Sequence, residues 1–307
     1  MEKIKINAII VLYNCNMEDS VTVNSIFKAN LDNIELKLLI WNNGNILLNE
    51  KDVSNFIEKC QQKKISTDVY QDTRNLSLSK IYNYFIAKSD YNYISVLDQD
   101  TSVNNDFFLN IKENANYEII CPEIYLSNKE NIKSSPIYNT PDESVDFIEA
   151  GDFNANAMFT CASGLSFSSV LIKKIADYYG YIFNESYAFY WADHDLLERL
   201  TAFDYVKGKC VGKMYHNMSG VGQDFSRMQE SAKLEHGLGK ILRRINKQNK
   251  PGSLRNIIYA IKYTLKAKCS ISSALKIVQC AIQKQHPRSR FNIDKNSKAT
   301  HNYSTDS

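Results

Sequence analysis

Apolar runs of strand length alternate with amphipathic stretches along residues 1–120. Residues 6–12, 37–41 and 93–97 are largely continuous apolar runs, which is typical of strands buried on both faces. The stretches between them repeat apolar residues at helical spacing. This alternation predicts an α/β fold, with a mostly parallel central sheet covered by helices on both faces. The helices are predicted at residues 20–29, 53–63 and 77–88.

The carboxyl ends of the predicted strands are the first place to look for a site, because ligands of open α/β sheets bind there. The third of these strands is followed by Asp98 and Asp100, with Gln99 between them. Two carboxylates directly after a buried strand can present oxygen ligands to a divalent cation that bridges phosphates. The alternative is a solvated turn or a helix cap.

The pattern changes after residue 120. Residues 121–152 form a loop-rich segment, and a helix is predicted around residues 193–202. Beyond about residue 224 the chain becomes basic and helical, with an interruption at Pro251. We therefore expect a large N-terminal domain, a basic helical extension and a flexible tail. The boundaries are 1–224 for the domain (halves 1–120 and 121–224), 225–286 for the extension and 287–307 for the tail.

Composition narrows the class of protein. The chain has 307 residues, 44% of them hydrophobic, which is enough for one large domain with an appendage. Its seven cysteines are scattered singly, so we expect reduced thiols in a cytosolic protein. The apolar run near the start is too short to span a membrane, and we interpret it as a first buried strand rather than a signal peptide.

Charge is distributed unevenly. Residues 237–293 carry thirteen Lys or Arg and no Asp or Glu, which leaves 24 basic and 34 acidic residues elsewhere, a net charge of −10. Basic side chains interleaved with Ile, Leu and Tyr suit a helix on an anionic membrane surface. A basic helical pair packed on the N-terminal domain explains the pattern equally well. The acidic remainder and the absence of a nucleic-acid-binding motif argue against a nucleic-acid partner.

Three further segments contain candidate functional residues. Residues 75–83 place polar groups at a helix start, where they could face an anionic ligand or simply cap the helix. Asp195 and Arg199 lie four residues apart and can form a structural ion pair. Asp193 lies outside that pair and could accept a proton from an attacking hydroxyl. His216 follows and could deliver a metal ligand, although a lone His is more often structural.

Taken together, these segments resemble the family 2 glycosyltransferases of the GT-A fold, a Rossmann-like nucleotide-binding fold. The resemblance covers residues 6–220 and is greatest to the rhamnosyltransferase-like members that build bacterial O-antigen and other surface polysaccharides. The Tyr13-Asn14 pair matches the end of the family's first strand. The family's Asp-Asn-Gly-Ser-like element becomes Asn42-Asn43-Gly44-Asn45, in which Asn42 replaces the Asp.

The resemblance implies roles for individual residues. It implies that the metal is held by Asp98, Asp100 and His216, the last of which begins a closing motif that ends at Gly220. It implies that Asp193 is the catalytic base. The implied substrate-binding residues are Tyr13, Asn14, Asn43, Asn75, Ser79, Asn83, Asp98, Ser163, Gly164, Asp195 and Arg199.

The resemblance also implies the reaction. A hexose would pass with inversion from dTDP-rhamnose or a UDP-hexose to a hydroxyl of a lipid-linked saccharide, with Mg²⁺ or Mn²⁺ as cofactor. The enzyme would be cytoplasmic and peripheral on the inner face of the cell membrane. The replacement at Asn42 keeps one alternative open, a catalytically inactive scaffold that binds nucleotide sugars.

Overall fold

The fold is described from a computed structural model that covers residues 3–127, 132–138, 146–216, 225, 228–247, 254–294 and 298–305. Ten of the described strands form one mixed sheet in the order β12-β3-β2-β1-β4-β10-β5-β11-β8, with β6 paired to β5. The strands are β1 Ile4–Leu12, β2 Ile34–Asn42, β3 Ser66–Gln71, β4 Tyr93–Asp98, β5 Ile119–Leu126, β6 Lys133–Ser135, β7 Ile137–Tyr138, β8 Gly151–Asn154, β9 Met158–Phe159, β10 Ser166–Ser168, β11 Lys207–His216 and β12 His301–Tyr303.

Helices cover the sheet and form the extension that follows it. The helices within residues 1–224 are α1 Val21–Ile26, α2 Glu50–Lys63, α3 Leu78–Lys88, α4 Phe107–Glu113, α5 Ser169–Tyr179 and α6 Ala192–Arg199, and those of the extension are α7 Glu230–Lys247, α8 Leu254–Lys266 and α9 Ile271–Gln283. No helix among the described residues is long and apolar enough to cross a membrane.

The register of the parallel strands explains where the site lies. Leu12 pairs with Asn42, Asn42 pairs with Gln71, and Val11 pairs with Asp98. The carboxyl ends of β1, β2, β3 and β4 therefore meet at one edge of the sheet. The six helices and strands predicted for the first 120 residues are confirmed in type. The sequence pattern did not predict β3, because the six residues of this strand are mostly polar and show neither a continuous apolar run nor a regular alternation.

The basic extension packs on the domain formed by residues 1–224, as one of the two interpretations of the charge pattern predicted. Leu238, Ile241 and Leu242 of α7 are buried together with Tyr187 and Ala192 of that domain. Gly239 permits this approach, because a Cβ there would lie 2.3 Å from the Trp191 ring. Gly237 permits the packing of α7 on α8, because a Cβ there would lie 2.5 Å from the Tyr263 ring.

The described residues of the segment 287–307 do not form the flexible tail predicted for it. Residues 301–303 form β12, which pairs antiparallel with β3. Before β12, the Asn292 side chain accepts a hydrogen bond from the Lys80 ammonium at 2.6 Å. The physical reason is that β3 would otherwise leave the backbone groups of a sheet edge unpaired. The polar composition of this segment gives no strand pattern, and the pairing with β3 becomes possible only once the sheet has formed. The sequence alone therefore did not predict this strand.

Candidate active site

Three side chains converge at the carboxyl edge of the sheet. Asp98 ends β4, Asp100 follows in the next turn, and His216 ends β11. One potential ligand atom from each lies within 4.8 Å of the others. His216 Nε2 is 3.4 Å from Asp98 Oδ2, and its Nδ1 is 3.6 Å from Asp100 Oδ1. The strand order brings these residues together although His216 is more than 100 positions away in sequence.

A buried network of hydroxyls holds this group in place. The Asp98 N–H donates to Ser163 Oγ at 3.0 Å. Ser163 Oγ lies 2.7 Å from Thr101 Oγ1, which in turn lies 3.0 Å from His216 Nδ1. From the other side, the Thr101 N–H donates to Thr22 Oγ1 at 3.0 Å. The candidate ligands are therefore oriented by their hydrogen-bonded neighbours, as metal ligands commonly are.

The electrostatics of the group favour a cation. About 40% of the Asp98 side chain faces the cavity, yet the surrounding protein desolvates the carboxylate. Desolvation raises the Asp98 pKa to about 6, with the charges of Asp100 and Asp193 adding to the rise and His216 opposing it. Carboxylate oxygens suit Mg²⁺ and Mn²⁺, and imidazole suits transition metals. The donor set could thus hold a divalent cation, whose charge would relieve the repulsion among the carboxylates.

A cavity of about 520 Å³ lies in front of this group. Its size falls in the ordinary range of small-molecule sites. Six of the residues predicted for the site line it, namely Tyr13, Asn43, Asn75, Asp98, Asp100 and His216. The lining residues that the sequence did not single out are Val11, Leu78, Tyr82, Gln99, Phe189, Tyr190, Gln229, Ser231, Ala232, Glu235 and Arg288.

Gln99, between the two carboxylates, fixes the neighbouring strand end. Its Oε1 accepts from the Tyr13 N–H at 2.7 Å, and its Nε2 donates to the Tyr13 carbonyl at 3.3 Å. This reciprocal pair positions the exposed Tyr13 ring at the cavity. The adjacent Asn14 is exposed in the left-handed region, with φ of 50°, and is not among the cavity-lining residues.

Asn43 and Asn75 form the opposite wall of the cavity. The Asn43 amide exchanges two hydrogen bonds with the Leu76 backbone, at 2.7 and 3.0 Å. Asn42, in contrast, turns away from the cavity, donating to the Ile46 carbonyl and accepting from the Gly44 N–H. The residue that departs from the family pattern therefore builds the turn after β2 and does not line the cavity.

Residues of the extension and of the segment after it also line the cavity. Arg288 donates to Asn75 Oδ1 and to Glu235 Oε2, both at 2.7 Å. Its guanidinium also lies over the Phe189 ring, 5.7 Å from the centroid. Sequence reasoning missed Arg288 because it is one of thirteen basic residues in an acid-free stretch. The only hint in the sequence was Glu235, the last acidic residue before that stretch, which lies 53 positions upstream of Arg288.

Two predicted residues of α3 do not reach the cavity. Ser79 is fully buried, and its hydroxyl has no partner among the described residues. Asn83 donates to the Phe183 carbonyl at 2.8 Å and accepts from the Phe183 N–H at 2.9 Å. The start of α3 is also occupied, since the Leu78 N–H donates to the Ala188 carbonyl. Asn83 therefore faces Phe183, and neither Ser79 nor Asn83 lines the cavity, so their contact with substrate stays a prediction.

Ser163 and Gly164 support the site from behind. Ser163 is fully buried, and the Gly164 N–H donates to the Val96 carbonyl at 2.8 Å. Gly164 has φ of 88°, and a Cβ there would lie 2.9 Å from Met214 and from Pro122. Neither residue lines the cavity. Ser163 holds the Asp98 backbone, and the contact of both residues with the acceptor stays a prediction.

Asp193 borders the site from the start of α6. Its Oδ2 accepts from the Ala162 N–H at 3.0 Å, and its Oδ1 accepts from the His194 N–H at 2.9 Å. It is partly exposed and is close enough to raise the pKa of both Asp98 and the buried Tyr82. It is not among the cavity-lining residues. Its oxygens thus keep lone pairs available while two backbone groups orient the carboxylate.

Asp195 and Arg199 form the structural pair that their spacing predicts. Arg199 Nε donates to Asp195 Oδ2 at 2.9 Å, and both side chains are 12% exposed. The guanidinium also donates to the Ile182 carbonyl and stacks on Tyr181. Neither residue lines the cavity, and the substrate contact implied for them stays a prediction. Gly220 lies outside the described residues.

The comparisons with known proteins locate the fold. No protein-family model matches the sequence, and no curated protein matches it either. Staphylococcus aureus TarS is similar in structure, with a TM-score of 0.51, 13% identity and coverage of 91% of this chain and 53% of TarS. This chain therefore spans about half the length of that TarS structure.

Two similar structures contain nucleotide sugars. TarS residues 1–349 in complex with UDP-GlcNAc has a TM-score of 0.51 and 13% identity over 91% of this chain and 81% of that one. Mannosyltransferase PcManGT from Pyrobaculum calidifontis, in complex with GDP-Man and Mn²⁺, has a TM-score of 0.51 and 9% identity over 92% and 74%. At such identities the likeness establishes the fold alone, and it confirms the predicted GT-A Rossmann-like class.

Proposed function

We propose that this protein is a metal-dependent glycosyltransferase that uses a nucleotide-diphosphate sugar as donor. The observation that carries the proposal is the convergence of Asp98, Asp100 and His216 in one cavity at the carboxyl edge of the sheet. The similar structures bound to UDP-GlcNAc and to GDP-Man with Mn²⁺ support the same class of donor. We propose Mg²⁺ or Mn²⁺ as cofactor and dTDP-rhamnose or a UDP-hexose as donor.

Different residues would bind the metal and the donor. Asp98, Asp100 and His216 would hold the cation, which supplies positive charge to the diphosphate leaving group when bound. Tyr13, Asn43 and Asn75 would contact the donor along the opposite walls, and Arg288 would hold Asn75 in place. A diphosphate leaves without protonation by a second carboxylic acid, so one base suffices, in contrast to glycoside hydrolysis.

Asp193 is proposed as that base. Its partly exposed carboxylate, oriented by two backbone N–H groups, would accept the proton of the acceptor hydroxyl as the oxygen attacks the anomeric carbon. The attack would come from the face opposite the leaving group, giving inversion in a single displacement. The closed pair of Asp195 with Arg199 makes Asp195 the poorer candidate.

We propose a lipid-linked saccharide as acceptor, within bacterial O-antigen or surface-polysaccharide synthesis. A cytoplasmic location, peripheral on the inner face of the cell membrane, would bring the enzyme to such an acceptor. The support is the basic, aliphatic composition of the extension together with a candidate active site whose wall that extension completes. The rhamnosyltransferase-like character rests on the sequence resemblance.

The test is donor hydrolysis. Nucleoside diphosphate released from a panel of nucleotide sugars is measured with Mg²⁺, with Mn²⁺ and with excess EDTA, for the wild type and for Asp100→Ala. We expect release that requires the metal and is lost in Asp100→Ala, because alanine offers no oxygen ligand. Asp152→Ala is the control, since Asp152 pairs with Lys209 at the surface. Donor binding without any turnover would instead identify the inactive scaffold.

A further inference from the structure

The solvent side of the helical extension carries an unpartnered aliphatic face. On α8 the exposed apolar residues follow the spacing i, i+4, i+7 and i+11, which places them on one side of the helix. On α9 they follow i, i+4 and i+11. These side chains are 44 to 82% exposed. The aliphatic face consists of Leu254, Ile258, Ile261 and Leu265 on α8 and Ile271, Leu275 and Ile282 on α9.

This face lies opposite the residues with which the two helices pack on the protein. Ala260 and Tyr263 of α8, and Ile277 and Cys280 of α9, are buried in the core of the extension. At 100° per residue these positions are on the far side of each helix from the aliphatic face. The opposite side of each helix therefore holds it on the protein, while the residues of the aliphatic face remain 44 to 82% exposed.

Positive charge flanks the aliphatic face. Arg255, Lys262 and Lys266 each follow one of its residues directly, so they line one edge of it along α8, and all three are exposed. Lys268 in the turn and Lys276 on α9 are exposed as well. No described carboxylate forms an ion pair with any of these five, and residues 237–293 contain no acidic residue.

We propose that the aliphatic face of α8 and α9 docks on an anionic lipid bilayer, with Arg255, Lys262 and Lys266 at the headgroups. This deepens the peripheral membrane location proposed above and rests on it. Aliphatic side chains at the acyl boundary beside Lys and Arg at anionic headgroups are the two contributions that hold amphipathic helices on membranes. The remainder of the chain, with its net charge of −10, is repelled by the same surface, which orients the extension toward it.

A second copy of the chain fits this surface less well. A twofold dimer would place the same patch against itself, and a patch without acidic residues brings no carboxylate to the basic side chains of its partner. An anionic bilayer offers negative headgroups to the basic side chains and an apolar interior to the aliphatic ones. The orientation also has a consequence for the reaction, because α7 lies between this face and the cavity and contributes Ser231 and Glu235 to the cavity wall. The proposed site would then open close to the lipid surface.

The test is cosedimentation with vesicles of phosphatidylcholine, with and without anionic phosphatidylglycerol. We compare the wild type with Ile258→Ser/Leu265→Ser/Ile271→Ser/Leu275→Ser and with Arg255→Gln/Lys262→Gln/Lys266→Gln. Each set should lower partitioning into anionic vesicles by at least about tenfold. Val170→Ser/Tyr178→Ser, which removes two equally exposed apolar residues of α5, is the control and should bind as the wild type does.

Several outcomes would overturn the proposal. These are a wild type that does not sediment with anionic vesicles, partitioning unchanged in both substituted sets, or a wild-type dimer in ultracentrifugation that the serine substitutions dissociate. Raising the salt from about 0.1 to about 1 M, which shortens the Debye length from about 10 to about 3 Å, should weaken binding. Donor hydrolysis in solution separates the two proposals, since it should persist in every variant even if vesicle binding is absent.

Discussion

The backbone N–H of Asp98 donates to the hydroxyl of Ser163, a residue 65 positions further along the chain. The same hydroxyl reaches Thr101, whose own hydroxyl reaches His216. Ser163 thus connects Asp98 and, through Thr101, His216 to the turn that precedes β10. Substitution of Ser163 therefore tests the hydrogen bonds that support the metal group without removing a metal ligand.

We expect Ser163→Ala to weaken Mn²⁺ binding by about 10- to 100-fold, the usual effect of removing a group that orients metal ligands. Binding is measured by calorimetry, and unfolding is measured in parallel. Ser166→Ala is the control, because Ser166 makes a comparable buried hydroxyl contact with Ser95 at 2.7 Å but does not touch the group. Equal Mn²⁺ affinity in Ser163→Ala and the wild type would show that the serine is not a support.

Asp193 and Asp195 should respond differently to the same change. Asp193→Asn should lower turnover by at least ~10²-fold with donor affinity retained, because the amide cannot accept a proton. Asp195→Asn should chiefly lower the free energy of unfolding, by about 3 kcal/mol, because it breaks a buried ion pair. Turnover, donor affinity and thermal unfolding are measured for both. A dead Asp195→Asn enzyme of normal stability beside an active Asp193→Asn enzyme would reverse the assignment.

Arg288→Ala should raise the KM for the donor and lower stability by about 1 to 3 kcal/mol, because Asn75 and Glu235 lose a charged donor. Arg288→Lys should recover little, since one ammonium cannot serve both acceptors with the geometry of a guanidinium. Arg290→Ala is the control, because that exposed guanidinium stacks on the neighbouring Phe291. An unchanged KM in Arg288→Ala would exclude Arg288 as a positioning residue.

His236 should make stability depend on pH. Desolvation, with a smaller contribution from Lys240, lowers the His236 pKa from 6.5 to about 4. The unfolded chain therefore binds more protons between these values, so stability should fall as pH drops from 6.5 to 4 and be unaffected by this group above 6.5. His236→Phe keeps a ring beside Phe225 and Tyr263 and should flatten this part of the profile. Urea unfolding across the range provides the measurement, and parallel profiles for the two proteins would contradict the assignment.

The part of the site that the sequence revealed depends on local rules. Asp98 and Asp100 could be found because a buried strand is recognisable from its apolar run, and its carboxyl end is where ligands bind. The choice between Asp193 and Asp195 followed from the four-residue spacing to Arg199, which is a property of any helix. Both inferences need only the nearest neighbours in sequence.

The part that the sequence did not reveal depends on tertiary contacts. Arg288 meets Asn75 across 213 positions, and nothing near Arg288 distinguishes it from the surface cations around it. Ser79 and Asn83 matched a motif, but which side of α3 faces the cavity is decided by residues 183–188, which pack against that helix. Family motifs name residue types, whereas packing decides which of them point at a ligand.

The strand β12 has a consequence for synthesis on the ribosome. Thr300 reaches Val69 across 231 positions, so the outer edge of β3 stays open until nearly all of the chain described here has been translated. At about 5 to 20 residues per second, that interval lasts roughly 10 to 50 s. During it the nascent sheet offers unpaired backbone groups to other chains. A chaperone that covers β3 in this period would improve the yield, and premature termination before residue 300 would leave a product prone to aggregate.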